Sequence, residues 1–320
     1  MRRALVTGSS GFIGYHLVRD LLNRGYWVRA ADRKSPEYGQ ALAHESWLID
    51  LMKYKHCTEV LDGIDDVFHL ACNMGGIGFI SQHHARVARE IARVDGNMLE
   101  AAVSQRVSRF FFSSSACVYD LGKQQQADVT ALCETDAWPA QPEEGYGLAK
   151  IFTEKMCEYY SQEHGLTTRI ARFHNIMGPL GTYTGGREKA PAALCRKVAT
   201  AKDGDSIEIW GDGAQTRSFM YIDDCVEGIH RIMESDCPDP LNLGTSHLVT
   251  IRELAEMIVK ISGKRLYLQF DPAKPRGVQG RNSDNTRIKQ VLGGWEPSYP
   301  LWDGLNVTYA WIESQIKGGK

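Results

Sequence analysis

Apolar positions along the first half of the chain fall in short runs separated by amphipathic stretches, a pattern that predicts strands and helices in alternation. The run ending in Val6-Thr7 is a strand, and Leu17, Val18, Leu21 and Leu22 mark one face of the helix after it. Tyr26-Trp27-Val28-Arg29-Ala30-Ala31, Ser46-Trp47-Leu48-Ile49 and Val67-Phe68-His69-Leu70-Ala71 read as further strands. A long helix is predicted from about Ile80 to Val103, with Val87, Ile91, Val94, Met98 and Ala102 at helical spacing. Arg109-Phe110-Phe111-Phe112 is strongly β-forming and leads into Ser113-Ser114-Ser115-Ala116-Cys117, and Thr168 to Phe173 is another strand. Strands apolar throughout and joined by helices belong to a parallel sheet covered on both faces. The expected fold class is therefore α/β: a Rossmann-type doubly wound parallel sheet with a smaller C-terminal substrate-binding lobe. The polar segment from Tyr119 to Pro142 reads as a surface loop, and Gly318-Gly319-Lys320 as a disordered end.

The first turn of this pattern carries chemistry. Gly8, Gly11 and Gly14 are spaced three apart between a strand and a helix, with Phe12 and Ile13 among them. Such glycines permit a tight turn and close approach of backbone to a pyrophosphate, whose charge meets the free N–H groups of the helix start. The next strand ends at Asp32, near the spacing expected of an acid that holds a ribose and repels a 2′-phosphate. The cofactor expected is NAD in preference to NADP, although Arg33 next door works the other way. Asp50-Leu51 either flank the adenine or cap a helix, and Leu70 ends its strand at the same crevice. Residues 1–174 are assigned mainly to an NAD-binding domain and 175–320 mainly to the substrate lobe, with some later segments returning to the sheet.

Composition narrows the partners. Lys and Arg number 37 against 39 Asp and Glu, a net charge of −2 over 320 residues, so no global field draws the chain to nucleic acid or anionic lipid. Any anionic ligand must be caught locally. No apolar run approaches the ~20 residues of a membrane span, and the N-terminus enters the glycine motif with no room for a signal peptide. Eight scattered cysteines without a Cys-x-x-Cys pair suit reduced thiols. A cytoplasmic enzyme without a metal is expected; His83 and His84 read as surface residues because no third ligand is visible.

Further chemistry gathers where the strands end. Tyr146 and Lys150, four apart on a helix, share a face, so the ammonium is expected to lower the phenol's pKa. With Ser115 upstream, they suit proton transfer to or from a sugar alcohol during hydride transfer. Met74-Gly75-Gly76-Ile77-Gly78-Phe79 is a loop able to lie against cofactor or sugar. Gly185-Gly186-Arg187-Glu188-Lys189-Ala190-Pro191, Gln215-Thr216-Arg217-Ser218-Phe219 and Arg276 through Arg281-Asn282-Ser283-Asp284 are polar where a core would be apolar, and their arginines could clamp a diphosphate.

In these features the chain resembles the extended short-chain dehydrogenase/reductase family of nucleotide-sugar enzymes. The likeness is strongest to the branch that epimerises GDP-hexoses at C3 and C5, on the Met74–Ile80 loop, Ser114–Tyr119, Arg172–Ile176, Gly185–Ala193 and Gly280–Asn285. The resemblance implies conversion of GDP-D-mannose to GDP-L-galactose, with GDP-L-gulose as a further product, through transient oxidation at C4. Tyr146, Lys150 and Ser115 would serve that step, and Cys117 and Lys189 would be the acid/base pair at C3 and C5. Gly75, Asn175, Glu188, Lys197, Gln215 and Arg281 would contact sugar or diphosphate, together with Ser115, Cys117, Tyr146 and Lys189. A homodimer is expected through the helices near 80–103 and 146–164. Asn73 and Asp120-Leu121 depart from the branch. A nucleotide-sugar 4-epimerase or 4,6-dehydratase is the alternative activity, and a non-catalytic NAD-sensing protein the alternative of another class.

Overall fold

A computed structural model describes residues 1–274 and 277–319. Six strands, β1 (Arg3–Thr7), β2 (Trp27–Asp32), β3 (Glu45–Leu48), β4 (Asp66–His69), β5 (Arg109–Ser115) and β6 (Thr167–Phe173), join the later strand Leu241–Leu243 in one sheet. Every pairing in it is parallel, in the order Leu241–Leu243, β6, β5, β4, β1, β2, β3. This is the doubly wound order, with the strand direction of travel reversing between β1 and β4, and a crevice opens there at the carboxyl ends. Ala4, Leu5, Val6, Phe110, Phe111 and Phe112 are fully buried because helices cover both faces.

Helix α1 (Phe12–Asn23) follows β1, α2 (Tyr54–Leu61) follows β3, and α5 (Tyr146–His164) packs beside the long helix α4 (His84–Ser104). The predicted helix from Ile80 is corrected: a separate turn, α3 (Ile77–Ile80), contains Gly78, and α4 starts only at His84. The chain breaks there because the His83 ring stacks on Phe79 at 4.7 Å and its Nδ1 meets the Phe79 carbonyl at 2.9 Å. His83 is consequently half-buried and not a plain surface residue.

A second correction concerns Tyr119 to Pro142. Tyr119, Gln124, Leu132 and Ala137 in it are buried, since the segment is wedged between the sheet and the C-terminal part of the chain. Gln124 accepts from Arg281 Nε at 2.6 Å, and Asn242 Nδ2 donates to the Leu132 carbonyl at 2.7 Å. Beyond β6, helix α6 (Ala190–Thr200) and the small sheets Ser206–Trp210 with Tyr267–Asp271, and Thr216–Ser218 with Leu248–Thr250 and Gly280–Arg281, build the wall facing the crevice. Gly318 and Gly319 close the last helix turn with backbone hydrogen bonds. Arg276 and Lys320 lie outside the described residues.

Candidate active site

Two clefts meet at the carboxyl end of β5. The first, of about 450 Å³, is lined by Gly8, Gly11, Phe12, Ile13, Gly14, Asp32, Asp50, Leu51, Leu70, Tyr146 and Lys150. The second, of about 660 Å³, is lined by Cys117, Asn175, Glu188, Lys197, Gln215 and Arg281. Gly75, Ser115 and Lys189 belong to the walls of both. Every site residue expected from the sequence thus borders one of two adjoining spaces.

The glycine turn fits a dinucleotide. Gly8 has φ +67°, a left-handed conformation natural to glycine, and a Cβ on Gly14 would stand 2.2 Å from the Gly8 carbonyl oxygen. The turn can therefore bring bare backbone up to a pyrophosphate at the start of α1. Asp32 accepts from Ser10 N at 3.0 Å and Lys34 N at 3.2 Å, which fixes its carboxylate on the rim beside the turn. Arg33 is drawn toward Glu90, 3.7 Å away. Asp50 is not the cap of α2, whose N-cap is Lys53; its carboxylate accepts from Met52 N at 3.0 Å. Gly14→Ala is expected to weaken NAD binding by about tenfold or more (~1.4 kcal/mol), read by calorimetric titration of the purified protein.

Tyr146 opens α5, and the lysine one turn on, Lys150, is buried with its Nζ 4.5 Å from the Phe112 ring centre. The expected lowering of the phenol's pKa is not what the structure gives. Burial pushes it well above its ordinary value, neighbouring Cys72 and Cys117 add to the rise, and a hydrogen bond with Ser115 opposes it.

One turn of 3-10 helix, Ala116–Val118, swings Cys117 from the end of β5 into the second cleft, with its N–H donating to Ser115 Oγ at 3.2 Å. Gly147 lets α5 start directly against this turn, since a Cβ there would lie 2.2 Å from the Cys117 carbonyl oxygen. Lys189 caps the N-terminus of α6, ahead of Pro191. Its loop is locked to the glycine loop after β4: Gly76 N donates to the Arg187 carbonyl at 3.0 Å, Arg187 Nη1 to Asn73 Oδ1 at 3.3 Å, and the guanidinium lies 3.9 Å from the Phe79 ring centre. Burial lowers the Lys189 pKa, and the Cys117 charge partly restores it. Burial raises the Cys117 pKa, the Glu143 charge adds to this, and Arg281 opposes it. Thiol and amine are shifted toward each other, which suits a pair that passes protons to and from one substrate.

Around them, Asn175 Nδ2 donates to the Ser218 carbonyl at 3.0 Å, Lys197 Nζ to the Glu208 carbonyl at 2.6 Å, and Gln215 Nε2 to the Trp210 carbonyl at 2.9 Å. Glu188 Oε2 and Gln215 Oε1 are buried without a hydrogen-bond partner, a cost that a polar ligand in this cleft would remove. Arg281 is held by Gln124, Cys117 (3.5 Å to Sγ) and Glu143. Sequence reasoning missed Glu143 and Cys72, and it named Arg217 only as one of the arginines able to clamp a diphosphate. Arg217 lines the second cleft and is half-buried, its pKa lowered to about 10 by desolvation and by Arg281. Cys72 lines the first cleft, where its charge would raise the pKa of Tyr146. Among the described residues, no cluster of His, Cys, Asp and Glu could hold a metal, and no helix is long and apolar enough to cross a membrane.

A dinucleotide cradle, a Ser-Tyr-Lys constellation and an adjoining polar cleft define a nucleotide-dependent oxidoreductive site on a Rossmann frame. The chain belongs to the NAD dependent epimerase/dehydratase family, whose model matches residues 4–244. It is 47% identical over 320 residues to GDP-mannose 3,5-epimerase 1 of Oryza sativa subsp. japonica, covering 99% of this chain and 83% of that protein. Among solved structures it is similar to UDP-glucose 4-epimerase of Thermotoga maritima with UDP-glucose (TM-score 0.89, 27% identity, 98% of this chain and 99% of that one). It is also similar to UDP-glucuronic acid 4-epimerase of Bacillus cereus with UDP-glucuronic acid and NAD (TM-score 0.83, 26% identity, 98% and 99% covered).

Proposed function

We propose that this chain is an isomerase acting on a GDP-hexose at C3 and C5, taking GDP-D-mannose to GDP-L-galactose and, by exchange at one carbon, to GDP-L-gulose. The observation that carries the reading is the meeting of Cys117 and Lys189 beside Ser115, where the two clefts join. The glycine turn and Asp32 would hold NAD, which would supply the hydride chemistry at C4. Tyr146 relays the proton of the C4 hydroxyl, and Ser115 shares that hydrogen bond. A ketone at C4 makes the hydrogens on C3 and C5 acidic, because their loss gives an enolate. Cys117 and Lys189 then remove a proton from one face of the sugar and return one to the other. Gly75, Asn175, Glu188, Lys197, Gln215 and Arg281 surround the sugar and diphosphate. Residues 1–174 mainly hold the cofactor and 175–320 mainly the sugar nucleotide. Two copies pair through α4 and α5, where Leu148, Phe152 and Tyr159 are exposed, and eight free thiols support a cytoplasmic location.

Incubation with GDP-mannose in D2O, followed by mass spectrometry of the recovered sugar, tests the reading. Uptake of one or two deuterons per sugar is expected. Inversion at C4 without deuterium would assign a 4-epimerase, and an unchanged, unlabelled sugar would remove the proposal.

A further inference from the structure

Cys117 does not face the second cleft alone. Glu143 N donates to the Cys117 carbonyl at 3.0 Å, which pins the acid's backbone beside the thiol. The Glu143 carboxylate is paired with Arg281 Nη2, while Arg281 Nη1 donates to Cys117 Sγ at 3.5 Å. The Glu143 side chain is 16% exposed and that of Arg281 9%, so the acid lies between a buried thiol and water. The other charged groups that bear on this spot are Lys189 and Arg217.

We propose that Glu143 is the proton relay of Cys117, carrying protons between its sulfur and solvent while the sugar nucleotide is bound. The inference rests on the reading above and deepens it. One exchange at a ring carbon leaves thiol and amine in the opposite protonation state from the start. A second exchange of the same sense, at the other carbon of the same sugar, requires that state to be restored. Between turnovers bulk water can do this directly. Within a turnover the sugar covers the thiol, and the remaining way out is through the acid at its side. In the relay step the S–H bond of Cys117 breaks as an O–H bond forms on Glu143 and that proton passes to water, while the Lys189 amine takes back from water the proton it gave to the sugar; in the reverse path the thiolate is re-protonated as the Lys189 ammonium releases its extra proton to water. No electrons leave the site and no further reactant is consumed. Arg281 keeps both partners in line: its guanidinium touches each and stabilises whichever of them is the anion.

Glu143→Gln keeps an acceptor for Arg281 and removes the titratable oxygen. At low conversion of GDP-mannose in D2O, singly labelled sugar is still expected to form, and the ratio of double to single labelling is the readout. Doubly labelled sugar is expected to fall by about tenfold or more, within the range of lost acid–base assistance. Glu143→Asp should recover part of the double exchange. A second measurement is independent of turnover: iodoacetamide labelling of the Cys117 peptide against pH, read by mass spectrometry. Loss of a neighbouring negative charge favours the thiolate, so its profile should move to lower pH in Glu143→Gln. An unchanged ratio of double to single labelling, or an equal loss of both, would overturn the relay, even in a folded protein. Absence of any labelling by the wild-type protein would instead remove the parent reading.

Discussion

Cys117→Ala protein is expected to lose solvent exchange at the sugar carbons by roughly 10²–10⁴-fold while still oxidising its substrate at C4. The separation follows from the two clefts. Tyr146 and Lys150 line the space of the glycine turn, whereas Cys117 lines only the neighbouring one, one short 3-10 turn beyond Ser115. Alanine removes the sulfur without altering the backbone that carries Ser115, and Ala116 already shows that the turn accepts this side chain. Oxidation at C4 is followed by nicotinamide absorbance on mixing with GDP-mannose, and exchange by deuterium in the recovered sugar. If both fall together, the thiol serves binding or oxidation and its assigned role is wrong.

The second large effect concerns stability. Arg172 and Glu154 are an ion pair of 2.7 Å, with side chains 2% and 4% exposed, between β6 and α5. Arg172 Nε adds a second contact to the carboxylate at 2.9 Å and Nη1 donates to the Glu134 carbonyl at 2.6 Å, while Ser114 Oγ donates to Glu154. Burial alone would lower the Arg172 pKa, but Glu154 outweighs it and raises it. Arg172→Met leaves a buried carboxylate without its counter-charge, and the expected loss is about 3–5 kcal/mol of unfolding free energy. Urea denaturation checks this. Combining Arg172→Met with Glu154→Leu should cost clearly less than Arg172→Met alone, because both charges then leave the interior together. Additive losses would mean that packing, not charge, dominates.

The outline of the fold was readable because its strands are apolar along their whole length and its helices keep one apolar face, both local signals. Phe110 to Phe112 needed no partner to declare a buried strand. The placing of candidate residues at strand ends, such as Asp32 and Ser115, beside the cleft was readable for the same reason: the sheet itself decides where they go. Glu143 was not, since its role comes from Arg281, 138 residues later. Gln124 was hidden the same way, as one of three glutamines in a stretch whose polarity reads as surface, although its amide and carbonyl are both used inside. The network in which Thr7 meets His69 Nδ1 at 2.8 Å, His69 Nε2 meets Asp95 at 3.0 Å, and Thr153 donates to Asp95 at 2.9 Å has no sequence period either. Tyr146 shows another limit: Lys150 four residues on promised a more acidic phenol, but burial is a property of the whole fold and acts the other way.

All seven strands of the large sheet run the same way, so every connection that leaves a carboxyl end arrives at one rim, while the helices and opposite rim serve only to support it. Insertions, exchanged loops and altered side chains along that single border can redirect the reaction without disturbing the support. A family built on this plan can diversify its products faster than its architecture, and the close superposition with a 4-epimerase at 27% identity is what such a history would leave behind.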